Sequence, residues 1–292
     1  MKRKELLSYS KKMKLIGFLF ILPALTYFAI FYFYPIFSAI YNSFFRYDLF
    51  TPREFIGFSN YINLLKDNLF IDSLRITAMY VIGSCFGTWI ISFGLALLLN
   101  KNFPLRNFYR TLFFLPVIIS LVIICIIWHA LFRGDGLINA IFNLNIGWLT
   151  YGKTAIWVIV FLGIWRQAGL YMIILLSGLN GISSVYYEAA KLDGASYFGM
   201  FRHITIPLLK PTIGFIAIIS LITAVRIFEP VYIITRGGPA GQTRVLALNI
   251  YETAFRSLEM GRASAMSIIM VIILLIFTLI QLKIWKGQES LD

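Results

Sequence analysis

Charge is scarce in this chain. Of its 292 residues only 13% are Asp, Glu, Lys or Arg, while 59% are hydrophobic; an ordinary globular chain carries about a quarter charged residues. Acidic groups are the scarcer sign, 13 against 26 Lys and Arg. Residues 15–45, 76–99, 111–132 and 264–282 contain none of the four, and 154–180 and 212–235 contain only isolated exceptions. Histidine and cysteine are nearly missing too, with two of each. Cys85 and Cys125 fall inside apolar runs, where neither a disulfide framework nor a metal site is expected. With no paired carboxylates, histidine cluster or activated nucleophile, an intramembrane enzyme is disfavoured.

What is present is hydrocarbon-length apolar sequence. Each run can cross a core of roughly 30 Å as a helix rising about 1.5 Å per residue. The expected fold is an all-α integral membrane protein with six transmembrane helices, near 15–37, 76–99, 111–132, 154–180, 212–235 and 264–282. A basic tail over 1–14 precedes this single domain of 15–292. The first run is about twice the length of a signal-peptide core and no small-x-small cleavage pattern follows it, so it reads as a retained span.

Orientation follows from Lys and Arg in the connections. With a cytoplasmic amino terminus, the inward segments 1–14, 100–110, 181–211 and 283–292 hold 14 basic residues in 66 positions, and the outward segments 38–75, 133–153 and 236–263 hold 10 in 87. Both termini are therefore expected in the cytoplasm. The net charge of +13 then describes a face beside anionic membrane lipid and gives no sign of nucleic acid.

The octet GWLTYGKT at 147–154 fits the phosphate-loop pattern G-x-x-x-x-G-K-[ST]. A phosphate loop needs a strand leading into it and a helix behind it. Here LINAIFNLNI precedes the octet in a 21-residue outward connection, too small for a nucleotide domain. The octet reads as a chance match, with Trp148 and Lys153 as interfacial anchors of the fourth span.

The connection YEAAKLDGASYFGMFRHITIPLLKP, 187–211, carries more information. Val185 to Leu192 is good helix sequence, Gly194 can end it in a left-handed conformation, and Ser196 can cap a second helix. Pro207 and Pro211 lead on into the fifth span. A helix lying on headgroups is the plain alternative. Against it, Glu188 and Asp193 would meet anionic lipid, and the small Ala189, Ala190, Gly194 and Ala195 suit close protein docking.

These residues resemble the EAA loop of the binding-protein-dependent ABC importer permeases: EAAKLDGA is followed at the family's distance by ITIPLLKP. FIGFSNYINLLKDNLFIDSLRIT (55–77), RGGPAGQTRVLALNIYETAF (236–255) and MGRASAMSIIMVIILLIFTLIQ (260–281) are similar to its carbohydrate-importing branch, on the side of the maltose-type first subunit. The resemblance implies a type I importer permease fold in the bacterial cytoplasmic membrane. Glu188, Ala189, Ala190, Asp193, Gly194 and Ala195 would dock in an ATPase subunit. It further implies a second homologous permease, two ATPase subunits that bind ATP and Mg, and an extracytoplasmic sugar-binding protein. No cofactor is expected in this chain itself. The alternative is a self-sufficient secondary carrier or channel, which usually keeps ionisable or unwound ligands at mid-membrane.

For the substrate path, polar groups in apolar spans are the signal. Span four offers Arg166, Gln167 and Tyr171, with Gln167 and Tyr171 on one face at i, i+4. Span five offers Ser220, Thr223, Arg226 and Glu229 at steps of three. The plain structural reading is an ion pair or an outer-interface position for Arg226 and Glu229, and hydroxyls bonding back to their own helix for Ser220 and Thr223. The family's sugar contacts, carried over by position, fall near Arg166, Gln167, Leu170, Ser220, Thr223 and Ile227. The amide and aromatic groups that serve maltose in the family are absent where Thr223, Ala224 and Ile227 stand, which implies a different sugar.

Overall fold

The computed structural model describes residues 2–286. In chain order it comprises α1 (Lys2–Phe28), a π-helical turn (Ala29–Phe33), α2 (Tyr34–Asn42), β1 (Phe45–Arg46), β2 (Glu54–Phe55), α3 (Ser59–Lys66), α4 (Asn68–Asn100), α5 (Arg106–Ile118), α6 (Leu121–Leu131), α7 (Leu137–Phe142) and α8 (Gly152–Asn180). Then follow α9 (Ser184–Leu192), α10 (Tyr197–Met200), a second π-helical turn (Phe201–Thr205), α11 (Ile206–Val225), α12 (Glu229–Ile234), α13 (Leu246–Phe255) and α14 (Met260–Lys286). Both π turns lie just ahead of a proline, Pro35 and Pro207. A ring without N–H interrupts the i→i−4 ladder, and a widened turn absorbs the mismatch. The chain forms two compact units, residues up to 64 with 252–269, and residues 65–251 with 270 onward.

In the first unit, α1 and α2 run on as one apolar stretch, Met13–Asn42. The basic segment expected as a tail is already helical from Lys2. The hairpin pairs Phe45 with Phe55 and Arg46 with Glu54. Its Arg46–Glu54 ion pair, 2.9 Å long with both side chains more than half exposed, contributes little in water. Buried Asn60 does more: its amide donates to the Ser43 and Phe45 carbonyls at 2.8 and 3.0 Å.

The second unit is built on α4 against α8. The Asp67 side chain accepts from Leu69 N–H at 3.0 Å and so caps α4. The buried face of α4 carries the small Ser73, Thr77, Ser84, Thr88, Ser92 and Ala96 together with Phe70, Tyr80, Cys85 and Leu99, while Ile82, Phe86, Ile90 and Leu98 are exposed. Small residues along a helix seam let backbones approach in a membrane, where lipid supplies no hydrophobic drive between helices. Backbones approach closest at Gly169 of α8, where a Cβ would overlap the Phe113 carbonyl of α5.

Five helical stretches are long and apolar enough to cross a membrane, and α5 with α6 makes a sixth only as one span bent by 94°. The straight third span expected over 111–132 is therefore broken, at Ile119 and Ser120, where Ile119 is extended (φ −69°, ψ 142°). Pro116 in the last turn of α5 has no N–H to continue the ladder there. The fifth span also departs from its expected bounds. Its helical stretch begins at Tyr197 and parts at Arg226–Phe228, between α11 and α12.

Candidate functional site

The α11–α12 break and the start of α6 border the same space. A cavity of about 280 Å³ is walled by α4 through Tyr80, Ser84, Cys85 and Thr88, by α8 through Leu162, Gly163, Arg166, Gln167 and Tyr171, and by Leu121 at the start of α6. The α11–α12 junction closes it with Ser220, Ile222, Thr223, Ala224, Arg226, Ile227, Glu229 and Pro230. Non-helical backbone at membrane depth persists only where protein or a wet cavity satisfies it. The far end of α12 is held by His129 of α6, whose Nδ1 donates to the Ile234 carbonyl at 2.9 Å. Cys125 and Trp128 of α6 pack with Val158 and Leu162 of α8 and with Ile234.

Six of the residues singled out for the path, Arg166, Gln167, Tyr171, Ser220, Thr223 and Ile227, line this cavity. Leu170 does not: it packs against the cluster of Ala96, Leu99, Met172 and Leu209. The Ser220 hydroxyl donates to the Ala217 carbonyl at 3.1 Å and accepts from the Trp89 indole at 2.9 Å. It therefore bonds to its own helix and also ties α11 to α4. The Thr223 hydroxyl lies against the Tyr171 phenol.

Of the plain readings for the two charges, the ion pair is not formed. Arg226 and Glu229 both face the cavity, and among the described residues no ion pair joins them. Arg226 instead stands at the carboxyl end of α11 and Glu229 in the first turn of α12. A cation at a helix C-terminus and an anion at an N-terminus are each favoured by the helix dipole. Arg166 lies midway along the 29-residue α8, and its buried Nε has no hydrogen-bond partner.

Sequence reasoning passed over the α4 wall. Tyr80, Ser84 and Thr88 line the cavity, and the available signal was the four-residue step of hydroxyls through Ser84, Thr88 and Ser92.

The connection singled out for docking has its own geometry. Ser183 caps α9 weakly, its hydroxyl accepting from Val185 N–H at 3.4 Å. At the other end the Ala195 N–H reaches the Ala190 carbonyl at 2.9 Å and the Gly194 N–H the Lys191 carbonyl at 3.0 Å, with Gly194 at φ +79°. That pair of bonds is a Schellman stop. Ser196 caps α10 by accepting from Gly199 N–H at 3.1 Å, and Tyr187 meets the Thr205 hydroxyl at 2.9 Å. Glu188, Ala190 to Ala195 and their neighbours Val185, Tyr186 and Tyr197 are exposed or nearly so, and Leu192 is 89% exposed.

The GWLTYGKT octet is preceded by α7 and a turn, and it ends inside α8. The Thr154 hydroxyl donates back to the Trp148 carbonyl at 2.7 Å. Trp148 in turn donates its indole N–H to Asn139 at 2.8 Å. These groups hold a loop onto a helix end.

A sequence profile described as "Binding-protein-dependent transport system inner membrane component" matches residues 89–284. The chain belongs to that family. It is 36% identical over 292 residues to the probable ABC transporter permease protein YesP of Bacillus subtilis (strain 168), covering 96% of this chain and 94% of that protein. It is 32% identical to the trehalose/maltose transport system permease protein MalF of Thermococcus litoralis, covering 94% and 95%. Among solved structures, a bacterial ABC transporter involved in the import of the acidic polysaccharide alginate superposes with a TM-score of 0.85 at 23% identity, covering 97% of this chain and 99% of that one. The fold is that of a type I importer permease in the inner membrane, and the named relatives are permease subunits rather than enzymes.

Proposed function

We propose that this chain forms half of the translocation path of an ATP-driven carbohydrate importer and couples to a separate ATPase through α9. Relatives with named substrates carry trehalose and maltose, starch degradation products, or lactose, which supports the carbohydrate class. The cavity bordered by the α11–α12 break and the start of α6 is the substrate path, with Gln167, Thr223 and Tyr171 offering hydrogen bonds to sugar hydroxyls. A second homologous permease supplies the facing half, and two ATPase subunits supply the energy, with their own ATP and Mg. A sugar-binding protein delivers substrate from outside; the related alginate importer was solved with such a periplasmic protein. Both termini face the cytoplasm, in keeping with the Lys and Arg bias.

The exposure of α9 carries the coupling reading. Val185, Tyr186 and Leu192 stand in the open beside Glu188 and Asp193, on a helix whose end is fixed by the Schellman turn. Apolar side chains held outward on a rigid turn fit a cleft in another protein. The test is Glu188→Lys in the complex reconstituted with both permeases, the ATPase and the binding protein. The variant is expected to insert and to pair with the second permease, yet to lose substrate-stimulated ATP hydrolysis. Full uptake with no ATPase bound would overturn the importer reading in favour of a self-sufficient carrier.

A further inference from the structure

We infer that the saccharide carried through this cavity bears a carboxylate, and that Arg166 is the group that receives it. The inference deepens the carbohydrate reading above and rests on it. Of the three charged side chains that line the cavity, two are compensated where they stand. Arg226 sits at the carboxyl end of α11 and Glu229 at the amino end of α12, each matched to the partial charge of its own helix terminus. Arg166 has no such match. It projects from the middle of α8, no ion pair reaches it among the described residues, and its buried Nε lacks any hydrogen-bond partner.

The other titratable groups on the wall are Tyr80, Cys85 and Tyr171, none of them a carboxylate. The cavity thus holds two guanidinium groups against one carboxylate, a surplus of one positive charge inside the membrane. Uncompensated charge at that depth is costly and is retained where it faces a counter-charge. Guanidinium presents a planar fork that takes a carboxylate through two parallel hydrogen bonds. A uronate sugar supplies that carboxylate, while its ring hydroxyls reach Gln167 on the adjacent position and Thr223 across the cavity.

The experiment uses the full complex, with the second permease, ATPase and binding protein, in proteoliposomes. Uptake is followed for trigalacturonate, its methyl ester and the neutral maltotriose. The wild type is expected to prefer trigalacturonate over the ester. Arg166→Gln should lower trigalacturonate uptake by roughly ten- to a hundredfold, the worth of a hydrogen bond to a charged group, chiefly as a raised KM. Ester uptake should change by no more than about twofold on the same scale, and Arg166→Lys should restore part of the acidic uptake.

Equal uptake of acid and ester by the wild type overturns the inference, as does uptake of maltotriose alone. Loss of the second permease on purification of Arg166→Gln also overturns it, because the counter-charge then belongs to the partner. If none of the three saccharides is transported or stimulates ATP hydrolysis, the carbohydrate reading itself fails.

Discussion

In the cavity, two arginines and a glutamate lie among helices whose outer faces are apolar, whereas on α9 the side chains of Val185, Tyr186 and Leu192 stand exposed beside Glu188 and Asp193. Each region reverses the usual rule of burial. Charge is held inside where it costs free energy, and apolar surface is held outside where it costs free energy again. The supports differ accordingly. Arg226 and Glu229 stand at the helix ends flanking the Arg226–Phe228 break and Arg166 in mid-helix, while α9 depends on two backbone hydrogen bonds and one left-handed glycine. A region shaped for a small polar solute is thus built from packed tertiary structure, and one shaped for a protein partner is built from local structure alone.

That contrast is sharpest under one substitution made in both places. Gly169→Val puts a branched side chain into the Phe113 carbonyl, in the α5–α8 contact behind the cavity. It should destabilise the protein by about 1–3 kcal/mol or more, seen as a lowered unfolding midpoint in detergent. Gly194→Val meets no atom within 4 Å but must adopt φ +79°, a local strain of about 1–3 kcal/mol confined to the turn. Its unfolding midpoint should stay near wild type, and substrate-stimulated ATP hydrolysis should be lost. Equal loss of stability in the two variants would break the comparison.

A smaller effect is expected inside the cavity. Gln167→Leu or Thr223→Leu removes one polar contact from the path and should reduce uptake by several-fold, in line with about 1 kcal/mol for a neutral hydrogen bond. The complex should still assemble and bind its ATPase. Uptake at the wild-type level in both variants would move the path elsewhere.

Much of this was legible in the sequence where the cause is local. The α9 turn needs only a helix-forming run, a glycine that tolerates positive φ and a serine cap, and each is visible residue by residue. The apolar runs likewise declare their membrane spans. The break at Ile119–Ser120 has one local sign, Pro116, but the size of its 94° bend has none, since α6 packs against Val158, Leu162 and Ile234, which are distant in sequence. Leu170, named for the path by position, packs against Ala96, Leu99, Met172 and Leu209 rather than lining the cavity, and counting along a helix does not decide between such adjacent faces. The α4 wall was hidden since Ser84 and Thr88 look like any hydroxyls bonding within a helix.

The smallest effects lie in the outward connections. Lys153→Ala should leave transport by the assembled complex nearly unchanged, because Lys153 belongs to a loop anchor. A large loss of ATP hydrolysis with assembly intact would restore the phosphate-loop reading. Asp48 is held below the ordinary carboxylate pKa by the Thr51 backbone N–H, then by the Thr51 hydroxyl, both at 2.8 Å. A depressed folded-state pKa contributes stability above the unfolded value that is lost as pH falls through the folded one. Protection of the Thr51 amide from hydrogen exchange, corrected for its intrinsic rate, should therefore decline below the ordinary carboxylate range. Asp48→Asn should flatten that dependence. The bonds to Asp48 come from Phe50 and Thr51 of its own turn, so the turn alone should respond.

The hydroxyl stripe of α4 has a consequence for biosynthesis. α4 is complete at Asn100, whereas α8, the helix that covers it, begins only at Gly152, so α4 enters the bilayer before its partner is made. Unpaired hydroxyls would make a poor stop in lipid, but three of the five on the stripe bond within the helix. Ser73 donates to the Phe70 carbonyl, Thr77 to Ser73 and Ser92 to Trp89, at 2.7, 2.7 and 3.2 Å, all within the helix. Those three hydroxyls therefore enter lipid at reduced cost before α8 is made. The Thr77 oxygen remains free to accept from Leu246 N–H at 2.8 Å once α13 arrives. The same hydroxyls serve first as passengers of insertion and later as the seam along which the newly made segments close.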